Sequence, residues 1–141
     1  MDIFEALHAE HESVDEQLAE LVEGGRDDET FETLRIDFIV HALAEEQVFY
    51  RRLETRDETA ALVREGHREH RQVMRLLDDM SGSDEPEDTW RSHLQTLRDD
   101  VRRHIEGEEG RLFPPARRLI QRQEAERLAG WFQRAKGDIA A

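Results

Sequence analysis

The stretch Phe38-Ile39-Val40-His41-Ala42-Leu43-Ala44-Glu45-Glu46-Gln47-Val48-Phe49-Tyr50 decides how this chain is read. It holds neither glycine nor proline, and with Phe31 and Leu34 before it the apolar residues Phe38 and Val48 continue a helical spacing. That pattern predicts a helix with one stripe turned toward partner helices. Continued at the same spacing, the stripe runs through His41 and Glu45, so an imidazole and a carboxylate stand where the core should be.

Working outward, three other segments repeat the pattern. A first helix from about Asp2 to Glu23 carries Phe4, Leu7, Val14, Leu18 and Leu21, passes through His11, and stops at Gly24-Gly25. The helix of His41 begins within Arg26 to Thr30 and runs to about Glu54. Thr55-Arg56-Asp57-Glu58 reads as a capping box opening a third helix that ends near Met80. Its stripe is Val63, Gly66, Val73, Leu77 and Met80, and it passes through His70. Ser81 to Pro86 is a loop, with Pro86 suited to the first helical position of a fourth helix. That helix carries Trp90, Leu94, Leu97, Val101 and Leu112, passes through His104 and Glu108, and is ended or kinked by Pro114-Pro115. Leu119 to Ala135 predicts a short fifth helix with Leu128, Trp131 and Phe132 as its apolar face. The expected fold is all-α: an up-down-up-down antiparallel four-helix bundle over residues 1–115, with a C-terminal helical extension, residues 116–141, packed on it.

Composition narrows the function classes. The 141 residues suffice for one core, and a formal charge of −14 argues against a phosphate-tracking surface, hence against nucleic acid. With no cysteine there is no disulfide, thiolate nucleophile or Cys-ligated metal. The N-terminus, Met1-Asp2-Ile3-Phe4-Glu5, is acidic where a signal peptide is basic, and no apolar run reaches membrane-spanning length, so a cytoplasmic protein without a membrane partner is expected. Serines in a nucleophile motif, a phosphate loop and a dinucleotide turn are all missing from the sequence.

The interrupting residues carry the chemistry. With about 1.5 Å of rise per residue, His11, His41, His70 and His104 come to one level of the bundle, and Glu45 and Glu108 lie one turn away on a common side. Unpartnered, each would cost several kcal/mol against a total stability of about 5 to 15 kcal/mol. Two divalent cations bridged by the carboxylates remove that cost, and imidazole with carboxylate suits iron, manganese or zinc by softness.

At these residues the chain resembles the hemerythrin-like, or HHE cation-binding, family. Glu10-His11-Glu12-Ser13-Val14 is similar to the family's first motif, and His41 to Glu46 followed by Phe49-Tyr50 to its second. Glu69-His70-Arg71-Gln72-Val73 is similar to the third, and His104 to Glu108 with Glu109, Leu112, Phe113 and Pro114 to the fourth. The resemblance implies a non-haem di-iron centre, oxo- or hydroxo-bridged, with His11, His41, His70 and His104 as terminal ligands and Glu45 and Glu108 bridging. It places iron ahead of zinc or manganese. The chain departs from the pattern at Arg51, where the family often has proline, and at His67, which is spaced by three from His70 where oxygen carriers have a histidine spaced by four. His67 is accordingly a further candidate ligand.

A donor set rich in neutral imidazole favours binding over strongly oxidising chemistry. The expected function is therefore uptake or sensing of dioxygen, nitric oxide or iron by a monomer or homodimer, with Leu7, Phe38, Val73, Val101 and Ile105 around the bound gas. A peroxide-consuming or oxidising enzyme and a metal-stabilised structural or signalling module are the alternatives. His8 reads as a flanking residue near Glu5 and Glu12 or as a further donor one turn from His11, and His93 is too far along its helix to be a ligand. Tyr50 reads as a residue that orients ligands, Glu46 and Glu109 as solvated surface or as further residues of that kind, and Gly66 as room for either an entering ligand or close packing. Arg102-Arg103 and Arg117-Arg118 read as a solvated face.

Overall fold

A computed structural model describes residues 1–141, and the chain is helical throughout apart from short connections. Helix α1 (Ile3–Gly24) opens on Asp2, whose side chain accepts from the Glu5 amide at 2.9 Å while Glu5 accepts from the Asp2 amide at 3.1 Å. This reciprocal cap satisfies two of the helix's orphan donors. Gly25, at φ 88°, ends it in a conformation that a side chain would resist. Helix α2 (Asp28–Glu45) is capped by Asp27, which accepts from the Thr30 amide. It continues without a break through a wide π-helical turn, Glu46–Tyr50, into α3 (Arg51–Leu53). Helix α4 spans Ala60–Met80 and α5 spans Glu87–Gly107. A second π-helical turn, Glu108–Leu112, leads into α6 (Phe113–Leu119), and α7 covers Arg122–Ala140.

Three expectations about helix ends need correction. Thr55 to Glu58 is not a capping box: residues 54–59 form turns, and the cap position of α4 is Thr59. The buried Thr59 hydroxyl donates to the Leu53 carbonyl at 2.7 Å, tying the end of α3 to the start of α4. Pro86 sits at the cap of α5 rather than at its first helical position, with φ −57° and ψ 152°, and its carbonyl accepts from the Trp90 amide. Pro114-Pro115 do not end the helix. They fall in the first turn of α6, just after the π-helical turn, where missing donors cost least, and the helix stops only at Ile120, which is extended.

The fifth helical segment is longer than the sequence suggested, and its buried face is Ala125, Leu128, Ala129 and Phe132. Trp131 is 51% exposed. Leu128 and Phe132, four apart, lie within about 40° of each other around the helix, whereas Trp131 falls about 100° from Phe132.

Packing brings α1 against α2 and α5, and α4 against α2 and α5, while α7 lies across α1, α2 and the first π-helical turn. Ion pairs and hydrogen bonds join neighbours at the rim: Gln17 with Asp37, Arg35 with Asp78, Arg102 with Asp15, and Arg111 with Glu65. The buried apolar side chains form two clusters. One gathers Ile3, Phe4, Leu7, Phe49, Leu53, Val63, Leu112, Phe113 and Phe132; the other gathers Val14, Leu18, Phe31, Phe38, Val73, Leu77, Trp90 and Val101. Along α1, α2, α4 and α5, with their π-helical extensions, a buried histidine separates the two: His11 between Leu7 and Val14, His41 between Phe38 and Phe49, His70 between Val63 and Val73, and His104 between Val101 and Leu112. The bundle core is thus two oily halves with a polar layer between them. No helix is long and apolar enough to cross a membrane.

Candidate metal centre

The polar layer is built from a pattern written twice in the sequence. Helices α1 and α4 each supply a Glu-His pair, Glu10-His11 and Glu69-His70. Helices α2 and α5 each supply a histidine followed four residues later by two carboxylates, His41 with Glu45-Glu46 and His104 with Glu108-Glu109. Successive residues on a helix diverge by about 100°. One carboxylate of each pair therefore points into the layer and the other sideways toward a neighbouring helix. Both pairs sit where the helix widens, the Arg51 amide donating to the Glu46 carbonyl and the Phe113 amide to the Glu108 carbonyl. Single π-helical turns of this kind re-aim side chains and recur at functional sites.

The four imidazoles close a ring, with centroids 5.3 Å apart from His11 to His41, 6.4 Å from His41 to His70, 4.6 Å from His70 to His104 and 6.4 Å from His104 to His11. Each directs Nδ1 outward to a carboxylate on an adjacent helix. His11 meets Glu109 at 2.6 Å, His41 meets Glu10 at 2.8 Å, His70 meets Glu46 at 2.8 Å and His104 meets Glu69 at 2.7 Å. Helix by helix, α1 supports α2, the end of α2 supports α4, α4 supports α5, and the end of α5 supports α1. With a carboxylate accepting at Nδ1, the Nδ1–H tautomer is favoured and the Nε2 lone pair is left facing inward.

At the centre, Glu45 and Glu108 face these Nε2 atoms. Glu45 Oε1 is 3.1 Å from His70 Nε2 and 3.5 Å from His41 Nε2. Glu108 lies 3.3 Å from His11 Nε2 through Oε1 and 3.5 Å from His104 Nε2 through Oε2. These are ion-pair distances without hydrogen-bond geometry: all four Nε2 atoms, both Glu45 oxygens and Glu108 Oε1 are buried and have no hydrogen-bond partner. So many buried nitrogen and oxygen atoms without a hydrogen-bond partner, converging in one dry layer, suit a set of cation ligands. Two groups of donors lie within 4.8 Å of one another, Glu45 with His70, His104 and Glu108, and His11 with His41 and Glu45. Glu45 belongs to both, and Glu108, a member of the first, also reaches toward the second, with Oε1 3.3 Å from His11 Nε2.

Electrostatics tell the same story. Burial pushes the His11 imidazole down, but Glu108 and Glu109 outweigh it and lift it to about 10. His70, likewise desolvated, is lifted by Glu45 and Glu46 to about 9. Burial also opposes charge on His41, yet Glu10 and Glu45 raise it. Glu45 is held well below the usual carboxylate range, its burial outweighed by Glu108 and by His41 and His70. Glu108 is pushed up, first by burial and then by the Glu45 charge beside it. Without cations, then, the layer collects protons to balance its carboxylates.

The remaining sequence candidates fall outside this centre. His67 belongs to neither donor group: it is partly exposed, its Nδ1 is 3.4 Å from Glu46 Oε1, and its ring packs 5.1 Å from Tyr50. Spaced by three from His70, it is turned to the side where Tyr50 already fills the space. His8 is exposed, with Nδ1 2.9 Å from Glu109 and Nε2 2.6 Å from Glu12. His93 pairs with Glu85. Gly66 leaves no opening for a ligand, because a Cβ there would stand 2.7 Å from Tyr50 Cζ; its role is close packing. Tyr50 stacks on His70 with rings 12° from parallel and donates to Glu108 Oε2 at 2.6 Å. Glu46 and Glu109 are not solvated surface but supports of His70 and His11, and Glu10 and Glu69 do the same for His41 and His104 without having been singled out. The repeated offsets, a carboxylate immediately before His11 and His70 and five residues after His41 and His104, are the signal that marks all four.

An all-helical bundle with buried His/Glu clusters defines a cation-binding class of protein. Residues 2–116 match the family model of the hemerythrin HHE cation binding domain, and the chain belongs to that family. No curated protein and no solved structure matches it. The family match ends within α6, so α7 lies beyond it.

Proposed function

We propose that the chain is a cytoplasmic, non-haem di-iron protein that takes up or senses dioxygen or nitric oxide. In this reading α1, α2, α4 and α5 run up-down-up-down over residues 1–115, and residues 116–141 add a fifth helix packed on them. His11 and His41 hold one ion, His70 and His104 the other, and Glu45 and Glu108 bridge. The observation that carries the reading is the convergence of orphaned Nε2 and carboxylate oxygen atoms on one buried layer. Bound there, a pair of iron ions supplies reversible redox chemistry toward a small diatomic ligand. The chain's own residues fix the geometry: four outer carboxylates set each imidazole's tautomer and orientation, and Tyr50 engages one oxygen of Glu108 while Glu45 keeps both free. Phe38, Val73 and Val101 exclude water from the face opposite the carboxylates.

Metal analysis of the purified protein with its visible spectrum tests the first half; two iron ions per chain are expected. Adding dioxygen or nitric oxide to the anaerobically reduced protein should then change the spectrum, and an unchanged spectrum refutes gas binding. The Tyr50 hydroxyl, a proton donor 2.6 Å from Glu108, favours a second reading as a peroxide-consuming enzyme. Sustained peroxide turnover that disappears in His41→Ala and Glu108→Ala would establish it. Cooperative unfolding by a chelator, with no response to gas or peroxide, would instead support a metal-stabilised module.

A further inference from the structure

Among the four outer carboxylates, Glu10 differs in having a full cationic partner from an element beyond the family match. Lys136 of α7, the sole lysine of the chain, places Nζ on Glu10 Oε2, while Glu10 Oε1 accepts from His41 Nδ1 at 2.8 Å. One turn earlier on the same helix, the fully buried Phe132 packs its ring 5.9 Å from His41 at 83°, and Lys136 Nζ lies 5.6 Å from the Phe132 ring. His41 is thus covered by Phe132 and braced through Glu10 by Lys136, both from α7. His70 and His104 receive no such contact; their supports, Glu46 and Glu69, come from the bundle itself. The junction is reachable, since Glu10, His41 and Lys136 line an open cleft of about 480 Å³ between α1, α2 and α7.

We propose that Lys136 is a positioning residue for one half of the metal centre. By holding the Glu10 carboxylate against His41 it sets the affinity of the ion bound by His11 and His41, leaving the ion of His70 and His104 untouched. The inference rests on the two-ion reading above. Outer partners of this kind change metal affinity by about 10- to 100-fold when the partner itself is removed, and Lys136 acts one bond further out, so an effect of about tenfold at one ion is expected.

The test is an anaerobic titration of the full chain with iron(II) against a chromophoric chelator, comparing wild type, Lys136→Met and Glu10→Gln. Methionine keeps the stem over Phe132 and deletes the charge; glutamine keeps an acceptor for His41 and deletes the ion pair. The expected result is two ions per wild-type chain, with each variant weakening the same single ion about tenfold and the metal-free melting temperature unchanged in Lys136→Met. Two ions of wild-type affinity in Lys136→Met, or equal weakening of both together with a lower metal-free melting temperature, overturns the role given to Lys136 while leaving the two-ion reading intact. A wild-type chain that holds no ion overturns both.

Discussion

Raising the pH of the metal-free protein from about 7 to about 10 should cost it much of its stability, and the cation-loaded protein should barely respond. The reason lies in the protons that stand in for cations. An unfolded histidine titrates near about 6.5, whereas His11 is lifted to about 10 and His70 to about 9 in the folded chain. A group that binds its proton more tightly when folded contributes stability that is complete below the unfolded value and vanishes as the pH climbs through the folded one. At about 1.4 kcal/mol for each pH unit separating the two states, the pair accounts for several kcal/mol, comparable with a domain's total of about 5 to 15 kcal/mol. Cations displace those protons, so loading should also release them into a weakly buffered solution. The acid side has the opposite sign. Glu10 and Glu69, lowered by His41 and His104 against their own burial, and Glu109, lowered first by His11, contribute stability present above about 4.5 and lost as the pH falls through their depressed values. Urea midpoints measured at steps of pH on stripped and loaded protein read both limbs. A metal-free midpoint that stays level or rises between about pH 7 and 10 would refute the assignment of protons to the imidazoles.

Other substitutions probe separate parts. Gly66→Ala drives a methyl group into Tyr50 and should destabilise the protein by about 1 to 3 kcal/mol, measured by thermal melting. Glu69→Gln removes the charge that supports His104 at 2.7 Å and should weaken metal binding by about 10- to 100-fold in a chelator competition, with little change in helical content. Phe132→Ala should cost about 3 to 5 kcal/mol in denaturant unfolding, whereas Trp131→Ala, on the exposed side of the same helix, should stay within about 0.5 kcal/mol of wild type.

The long helices and the six inner site residues were legible because their signal is periodic: His11, His41, Glu45, His70, His104 and Glu108 interrupt apolar stripes that are otherwise regular. What escaped reading depends on contacts between distant segments. Thr59 reaches back to Leu53, so the cap of α4 is set by the preceding helix end and not by the Thr55–Glu58 signature. The π-helical turns leave no mark that a single strand of sequence shows, yet they carry the helix past Pro114-Pro115. Glu10, Glu46, Glu69 and Glu109 look like any acidic helix surface until the neighbouring helix brings a histidine to each. The surroundings of His67, and which of its two readings Gly66 fulfils, escaped for one reason: the position of the Tyr50 ring between α4 and the centre follows from packing alone.

The handing-on of support from helix to helix bears on how such a centre comes into being. The hairpin of α1 and α2 brings His11, His41 and Glu45 together and aligns His41 through its own Glu10, but His11 waits for Glu109 at the far end of α5. The hairpin of α4 and α5 is in the matching position, its His104 aligned from within and its His70 dependent on Glu46. Neither half, taken alone, holds both of its imidazoles in register, so on the proposed two-ion reading tight capture of an ion should wait until the two hairpins have docked.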